Sequence, residues 1–462
     1  MKKSLSMATL TSEEQKPLVV LKVGTSSLID DESGFALKPS ALARIVEVVV
    51  AVRQRGYDVI LVSSGAVGCG YRNVDMDEKP SALAKRQALA AIGQMKLLRH
   101  YDLNFASFGV VCAQVLLTSN NLTEREHHIN ARATFRELLH LDAVPIVNEN
   151  DTVATRELRF GDNDRLAALV SGMMCADWLF LLTDVDAVYD KNPQRFTDAQ
   201  RIACVHPSED MDADLCGEEE SQADEENVET NVNKDNTATD AAADVQKQKR
   251  DGEPSDSCNS NDDGHNSDDD GENEETWGTG GMESKVAGAR LASSAGVTAV
   301  ILSSKDPMRV IQHLEAGFGD KDLGFGTRFL PVKHSNEVLT LKPRARWLLT
   351  LKPTGSILVD DGAVKAMLTR SANLFPVGVT RVRGRFEAGE AVNVLSASTG
   401  NTIGVGLVNF CNKDLIEMRG QHYVDAEQPV YVVDARNFAR TTTFESVESA
   451  VSDTDADGNV SD

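Results

Sequence analysis

The chain predicts an α/β protein: a three-layer αβα sandwich with a mostly parallel sheet, followed by a small C-terminal β-barrel. Three observations carry this reading. From residue 17 to about 342, short apolar runs alternate with longer amphipathic ones, the pattern of strands covered on both faces by helices. Beyond about residue 345 the runs shorten and are separated by glycine-centred turns, as in small barrels. Between the two, Asn148-Glu149-Asn150-Asp151 and Gly161-Asp162-Asn163-Asp164 put carboxylates and amides just after an apolar strand. That is where open α/β sheets bind ligands, although turn residues satisfying their own backbone give a similar composition.

In order along the chain, Leu18–Val23 and Val59–Val62 have the length and apolar character of buried strands, while Ser40–Arg55 and Ser81–Tyr101 show helical spacing. The alternation continues through strand Val110–Leu117, helix 124–140, strand 143–147, helix 165–175, strand 178–182, helix 284–295 and strand 297–302. The later strands are Gly355–Val359, Val377–Val382, Ala391–Leu395, Thr402–Val408 and Val430–Val433. The expected organisation is a flexible N-terminus (1–16), a main domain (17–342), a barrel (343–440) and an acidic disordered tail (441–462).

The net charge of −24 is not a property of the folded body. Residues 207–276 hold 25 acidic and 4 basic side chains, and residues 444–462 hold six acidic and no basic ones, so the remainder is slightly positive. Segment 207–276 is nearly free of aromatic and β-branched residues and cannot offset its own ordering entropy, so it reads as a disordered insertion in the main domain. Seven scattered cysteines without a CxxC pair argue for a reducing compartment and against structural zinc. With no signal-peptide pattern and no apolar run near the ~20 residues of a membrane span, a cytoplasmic protein is expected.

Three places carry candidate chemistry. Lys22 stands in an otherwise apolar strand and is followed by Gly24-Thr25-Ser26-Ser27. A phosphate is a fitting partner, because Gly24 admits close backbone approach, though a lysine that reaches solvent shows the same pattern. The second strand runs into Ser63-Ser64-Gly65, which a plain strand-to-helix turn would also explain. Thr183-Asp184 ends a Leu-rich strand, and Gly278-Thr279-Gly280-Gly281-Met282-Glu283-Ser284-Lys285 leads into a helix, again a phosphate-binding arrangement or a hinge closing the insertion. No GxxxxGK[ST] occurs, so a P-loop enzyme is not expected.

Together these motifs, with Asn148-Glu-Asn-Asp-Thr-Val-Ala-Thr and Gly161-Asp-Asn-Asp, resemble in order and spacing the glutamate 5-kinase family of the amino-acid-kinase superfamily, over residues ~17–330. Two departures are the acidic insertion before the nucleotide loop and Ser284, where threonine is more usual. Gly355-Ser-Ile-Leu-Val-Asp-Asp-Gly-Ala and Phe375-Pro-Val-Gly-Val resemble a PUA domain.

The resemblance implies phosphorylation of the γ-carboxylate of L-glutamate by ATP, the first step of proline biosynthesis. Lys22 and Lys285 would hold the transferring and leaving phosphates, and Asp164 would orient them. Ser64, Asn148, Asp151 and Asn163 would bind glutamate. Lys22, Thr183, Asp184, Thr279, Gly280, Gly281, Met282, Glu283, Ser284 and Lys285 would contact ATP. Mg²⁺ would be held mainly by the ATP phosphates rather than by a protein metal site. A homo-oligomer inhibited by proline follows from the same likeness. Other superfamily members act on carbamate, aspartate, acetylglutamate or nucleoside monophosphates, and fold alone does not choose between them. An RNA partner is not expected: residues 343–440 hold 12 Lys/Arg against 9 Asp/Glu, with Arg381, Arg383 and Arg385 the sole local cluster.

Overall fold

The computed structural model describes residues 16–30, 36–72, 74, 82–119, 122, 124–153, 163–206, 281–331, 343–421 and 430–441. The insertion 207–276, the acidic tail from Thr442 and most of the N-terminal stretch lie outside the described residues.

The first half runs β1 (Leu18–Val23), α1 (Thr25–Leu28), β2 (Ile29–Asp30), β3 (Ala36–Leu37), α2 (Pro39–Gln54), β4 (Asp58–Ser63), α3 (Ala66–Tyr71), α4 (Leu83–Ala106), β5 (Cys112–Leu117), α5 (Arg125–His140) and β6 (Val144–Glu149). It continues with α6 (Asn163–Met174), β7 (Trp178–Thr183), β8 (Cys204–Val205), α7 (Met282–Ser294), β9 (Thr298–Ser303), α8 (Arg309–Ala316) and β10 (Thr327–Phe329). Eight strands form one sheet in the order β5-β6-β4-β1-β7-β9-β10-β8, parallel from β5 to β9. Only β10 turns antiparallel to β9, and β8 follows β10. The chain leaves β1 toward β4 on one side and returns to β7 on the other, so the crevice lies beyond the carboxyl ends of β1, β4, β6 and β7.

Strand alternation sorts the sheet into two cores. Val19, Leu21 and Val23 of β1 join Ile45 and Val49 of α2, Leu97 and Phe105 of α4, and Val310 of α8 on one face. Leu18 and Val20 join Phe135 of α5, Leu166 and Val170 of α6, and Ala289 of α7 on the other. Lys22 continues the second series, toward α6 and α7.

The crossing of α3 and α4 is unusually close. A Cβ at Gly93 would lie 1.8 Å from the Ala66 carbonyl oxygen, and one at Gly70 would lie 1.9 Å from that of Leu89. Only glycine lets these backbones touch.

The second region holds α9 (Pro343–Thr350), β11 (Gly355–Val359), α10 (Asp361–Arg370), β12 (Val379–Gly384), β13 (Ala391–Ser396), β14 (Thr402–Val408), α11 (Asn412–Met418) and β15 (Val433–Arg440). Its sheet runs β12-β11-β13-β14-β15 around Ile357, Val392, Ile403 and Val433. Three helices accompany these strands, more than the turn-rich sequence suggested. One had a legible start: Asp360 caps α10 by accepting from the Ala363 N–H at 2.7 Å.

Helix α9 belongs to both regions. Leu348 and Leu349 pack with Ala391, Val405 and Ala439. Trp347 of the same cluster also meets the His128 ring edge-on at 6.3 Å, and the Arg125 guanidinium lies 5.4 Å from the Trp347 ring centroid. Burial pushes His128 down to about 4, so it stands neutral in this contact.

Boundaries differ from expectation in physically readable ways. Pro376 opens a 3-10 turn, so β12 starts at Val379 rather than Val377. The last strand is Val433–Arg440, not Val430–Val433, because it borders the sheet and carries exposed Arg436 among its buried valine and alanine positions. Helix α6 starts at Asn163, two residues before its apolar spacing begins.

The α3–α4 contact generates a test. Gly93→Ala should destabilise the fold by about 3 kcal/mol or more in chemical denaturation. Gly281→Ala, where nothing among the described residues lies within 4 Å of the added methyl, should not. Equal midpoints for the two variants would show that the helices separate freely.

Candidate active site

At the carboxyl end of β1, Lys22 is only 4% exposed, and its Nζ lies 2.5 Å from Asp164 Oδ1 in the first turn of α6. This pairing follows from strand alternation, since Lys22 shares the face of Val20 against which α6 packs. The other carboxylate oxygen, Oδ2, accepts from Ser284 Oγ at 3.2 Å. Helix α7 can come this near because position 288 is glycine: a Cβ there would sit 3.0 Å from the Asp164 carbonyl oxygen.

Lys285, one residue after Ser284, is buried, and its Nζ donates to the Gly281 carbonyl at 3.3 Å. Burial holds the Lys285 ammonium below its ordinary range, with Lys22 adding to the effect and Asp164 and Asp184 opposing it. Two cations thus lie among two carboxylates, Asp164 and Asp184, and the two ammonium groups are what an anionic ligand would meet. At the end of β7, Thr183 donates to Asp184 Oδ1 at 2.8 Å. Burial pushes the Asp184 carboxyl up, but the Thr183 hydroxyl, backbone N–H groups and Lys285 together outweigh it and leave it below its usual range.

A second cluster lies beyond β4 and β6. Gly65, at φ +102°, makes the turn from β4 into α3. The Ser64 N–H is tied to the Val23 carbonyl at 3.1 Å, and Ser63 Oγ lies 2.9 Å from Tyr101 Oη on α4. Asn163 Nδ2 donates to Ser64 Oγ at 2.7 Å and to Asn148 Oδ1 at 3.0 Å. Asn148 Nδ2 donates to Gln94 Oε1 at 2.7 Å, while Asn148 Oδ1 also accepts from the Glu149 N–H at 2.9 Å. Asn163 Oδ1 is buried and has no hydrogen-bond partner among the described residues. Asp151 follows β6; burial pushes its carboxyl up to about 6, against the pull of Arg86.

The structure therefore brings together Lys22, Asp164, Ser284 and Lys285, with Thr183 and Asp184 at the neighbouring strand end, and separately Ser64, Asn148 and Asn163. Gly281 caps α7, Met282 is half-buried against the core, and Glu283 is exposed in the first turn. Thr279 and Gly280 lie outside the described residues. Sequence reasoning missed Gln94 and Tyr101. Both sit on the buried stripe of α4 with Leu97, and a glutamine at a core position of an amphipathic helix was the available signal.

Comparison with known proteins places the chain in a family. A model described as "Amino acid kinase family" matches residues 17–244, and one described as "PUA domain" matches residues 355–430. The glutamate 5-kinase of Synechococcus sp. (strain JA-2-3B'a(2-13)) is 38% identical over 404 residues, covering 87% of this chain and 91% of that protein. That of Trichormus variabilis is 38% identical over 423 residues, covering 89% and 97%, and that of Acaryochloris marina is 39% identical over 412, covering 89% and 94%. Among solved structures, a carbamate kinase from Giardia lamblia bound to AMP-PNP covers 69% of this chain and 99% of its own at 14% identity, with a TM-score of 0.42, too distant to carry weight. The curated matches are longer than the whole stretch from Leu18 to Phe329, so they span both sheets, and the chain belongs to the glutamate 5-kinase family.

Proposed function

We propose that the chain transfers the terminal phosphoryl group of ATP to the γ-carboxylate of L-glutamate, giving ADP and γ-glutamyl phosphate, the step that opens proline biosynthesis. The observation that carries this reading is the pair of buried lysines around Asp164, which adjoins Asn163 of the amide and hydroxyl cluster in sequence.

The substrate carboxylate attacks directly, so the protein has no nucleophile to supply. What it provides is position and charge for a largely dissociative transfer. Lys22 lies between the two clusters and meets the phosphoryl group in flight; Lys285 holds the phosphates being left behind. Asp164 forms an ion pair with Lys22 and accepts from Ser284, and so fixes both elements relative to each other. Thr183, Asp184 and the segment Thr279–Lys285 receive the nucleotide. Ser64, Asn148, Asp151 and Asn163 receive glutamate, with Asp151 facing its ammonium.

Kinases of this family work with a divalent cation, which we assign as Mg²⁺. Asp184 and Asp164 are single carboxylates, each held by a hydroxyl donor, which suits an ion carried mainly by nucleotide oxygens. When bound, it would neutralise phosphate charge. No helix among the described residues is long and apolar enough to cross a membrane. A cytoplasmic homo-oligomer with proline feedback, organised as residues 17–342 and 343–440, completes the proposal.

Replacing Lys22 by Met, or Lys285 by Met, should lower kcat for glutamate-dependent ADP release by ~10²-fold or more. Near-normal turnover in a folded variant would remove that lysine from the mechanism.

Asp151 yields a pH test. Its folded pKa is raised to about 6 by burial, so its charge costs stability above that pH, and the cost disappears as pH falls toward the ordinary value near 4. Asp151→Asn should therefore melt higher than the parent at about pH 8 and no higher at about pH 4. The parent's KM for glutamate should fall as pH rises through about 6, and the variant should lack that dependence. Identical melting curves and identical KM profiles would show that Asp151 neither bears a buried charge nor meets the substrate.

A further inference from the structure

The amide cluster has a fixed direction, and one backbone group sets it. Carboxamide oxygen and nitrogen are assigned from their partners, and here the assignment has an unambiguous start. The Glu149 N–H can only donate, so the atom it meets at 2.9 Å is Asn148 Oδ1. Asn148 Nδ2 must then face Gln94, which answers with Oε1 at 2.7 Å. Asn148 Oδ1 takes its second hydrogen bond from Asn163 Nδ2, whose other hydrogen goes to Ser64 Oγ. Both Asn163 donors are thus engaged with protein.

Besides the second hydrogen of Asn148 Nδ2, one atom each of Asn163 and Ser64 is left for a ligand, with opposite characters. Asn163 Oδ1, buried without a partner among the described residues, is an acceptor. The Ser64 hydroxyl, having accepted from Asn163, keeps its own hydrogen to donate. An acceptor suits an ammonium and a donor suits a carboxylate.

We propose that Gln94 is a positioning residue that fixes this donor and acceptor polarity, so that the pocket selects a dicarboxylic acid bearing an ammonium over the same acid without one. The inference rests on the reading of Ser64 and Asn163 as glutamate-binding residues. Gln94 acts through the alternatives it removes. With it present, Asn148 Oδ1 is filled by its two donors and one Nδ2 hydrogen is held by Gln94, which fixes where the other points. Without it, Asn148 either leaves Nδ2 unpaired or turns Nδ2 to Asn163 Oδ1, abandoning the Glu149 N–H and rotating the Asn163 amino group toward the ligand. Each arrangement then leaves one buried group unpaired, and neither is strongly favoured. The close α3–α4 crossing, with Gly93 against the Ala66 carbonyl, holds the adjacent Gln94 in place.

The test compares glutamate with glutarate, the same dicarboxylate lacking the ammonium, in steady-state ADP release by the full chain. Gln94→Met removes the acceptor with little change of volume. Gln94→Glu keeps an acceptor toward Asn148 Nδ2. The parent should prefer glutamate strongly. In Gln94→Met the ratio of kcat/KM for glutamate to that for glutarate should fall about tenfold or more, with KM for ATP unchanged. Gln94→Glu should retain most of the parent's ratio, a rescue that loss of packing alone would not give. Melting temperatures establish that both variants are folded. An unchanged ratio in folded Gln94→Met, or equal damage in Gln94→Glu, would overturn the role of Gln94 while glutamate kinase activity stands. A parent enzyme indifferent to glutamate would overturn the functional reading, and this inference with it.

Discussion

The contact between Lys22 and Asp164 organises everything around it. Two charges taken from water together recover their desolvation cost only if geometry is good and the remaining lone pairs are satisfied. Here Nζ and Oδ1 are 2.5 Å apart, and Ser284 Oγ lies 3.2 Å from the second carboxylate oxygen and 3.0 Å from the Gly281 carbonyl. The pair joins the central strand to α6, and through Ser284 it joins α7, the helix that carries Lys285. A displaced Asp164 would leave two lysine ammoniums near one another in a largely buried space. The same carboxylate that holds the fold at this point therefore also offsets the repulsion between the two ammoniums.

The sheet makes that contact possible by simple alternation. Val19, Leu21 and Val23 turn one way, and Leu18, Val20 and Lys22 the other. On β6 the same rule separates Val147, which packs toward α6, from Asn148, which reaches Gln94 on α4. Candidate phosphate-binding and amino-acid-binding groups thus approach the crevice from opposite sides of one layer, and Asn163 spans them because it begins α6 at the sheet's edge. Glycines set the distances: Gly288 brings α7 to Asp164, and Gly70 and Gly93 bring α3 to α4.

Much of the main sheet was legible because buried parallel strands read as unbroken apolar runs of fixed length, as at Trp178–Thr183. The candidate site residues were legible as polar groups at the ends of those runs. Three things were hidden. The short strands β8 and β10 have two and three residues, too few for any period to show. Helix α9 carries Arg344 and Arg346 beside Trp347 and Leu348, and its two apolar contacts face different regions, so no single stripe marks it. Gln94 belongs to an amide chain assembled from α4, β6 and α6, and residues so far apart in sequence reveal no partnership until the strands are laid side by side.

The hydrogen bond from the Glu149 N–H to Asn148 has a consequence for how such a pocket can change over evolutionary time. Side chains mutate, but a main-chain donor is present with every residue except proline. Its direction comes from the ladder that β6 makes with β4 and β5, and so from the sheet. Lineages can enlarge, narrow or recharge the pocket by substituting around this donor. An inverted preference is much less accessible, because it requires a rearranged strand rather than a new side chain.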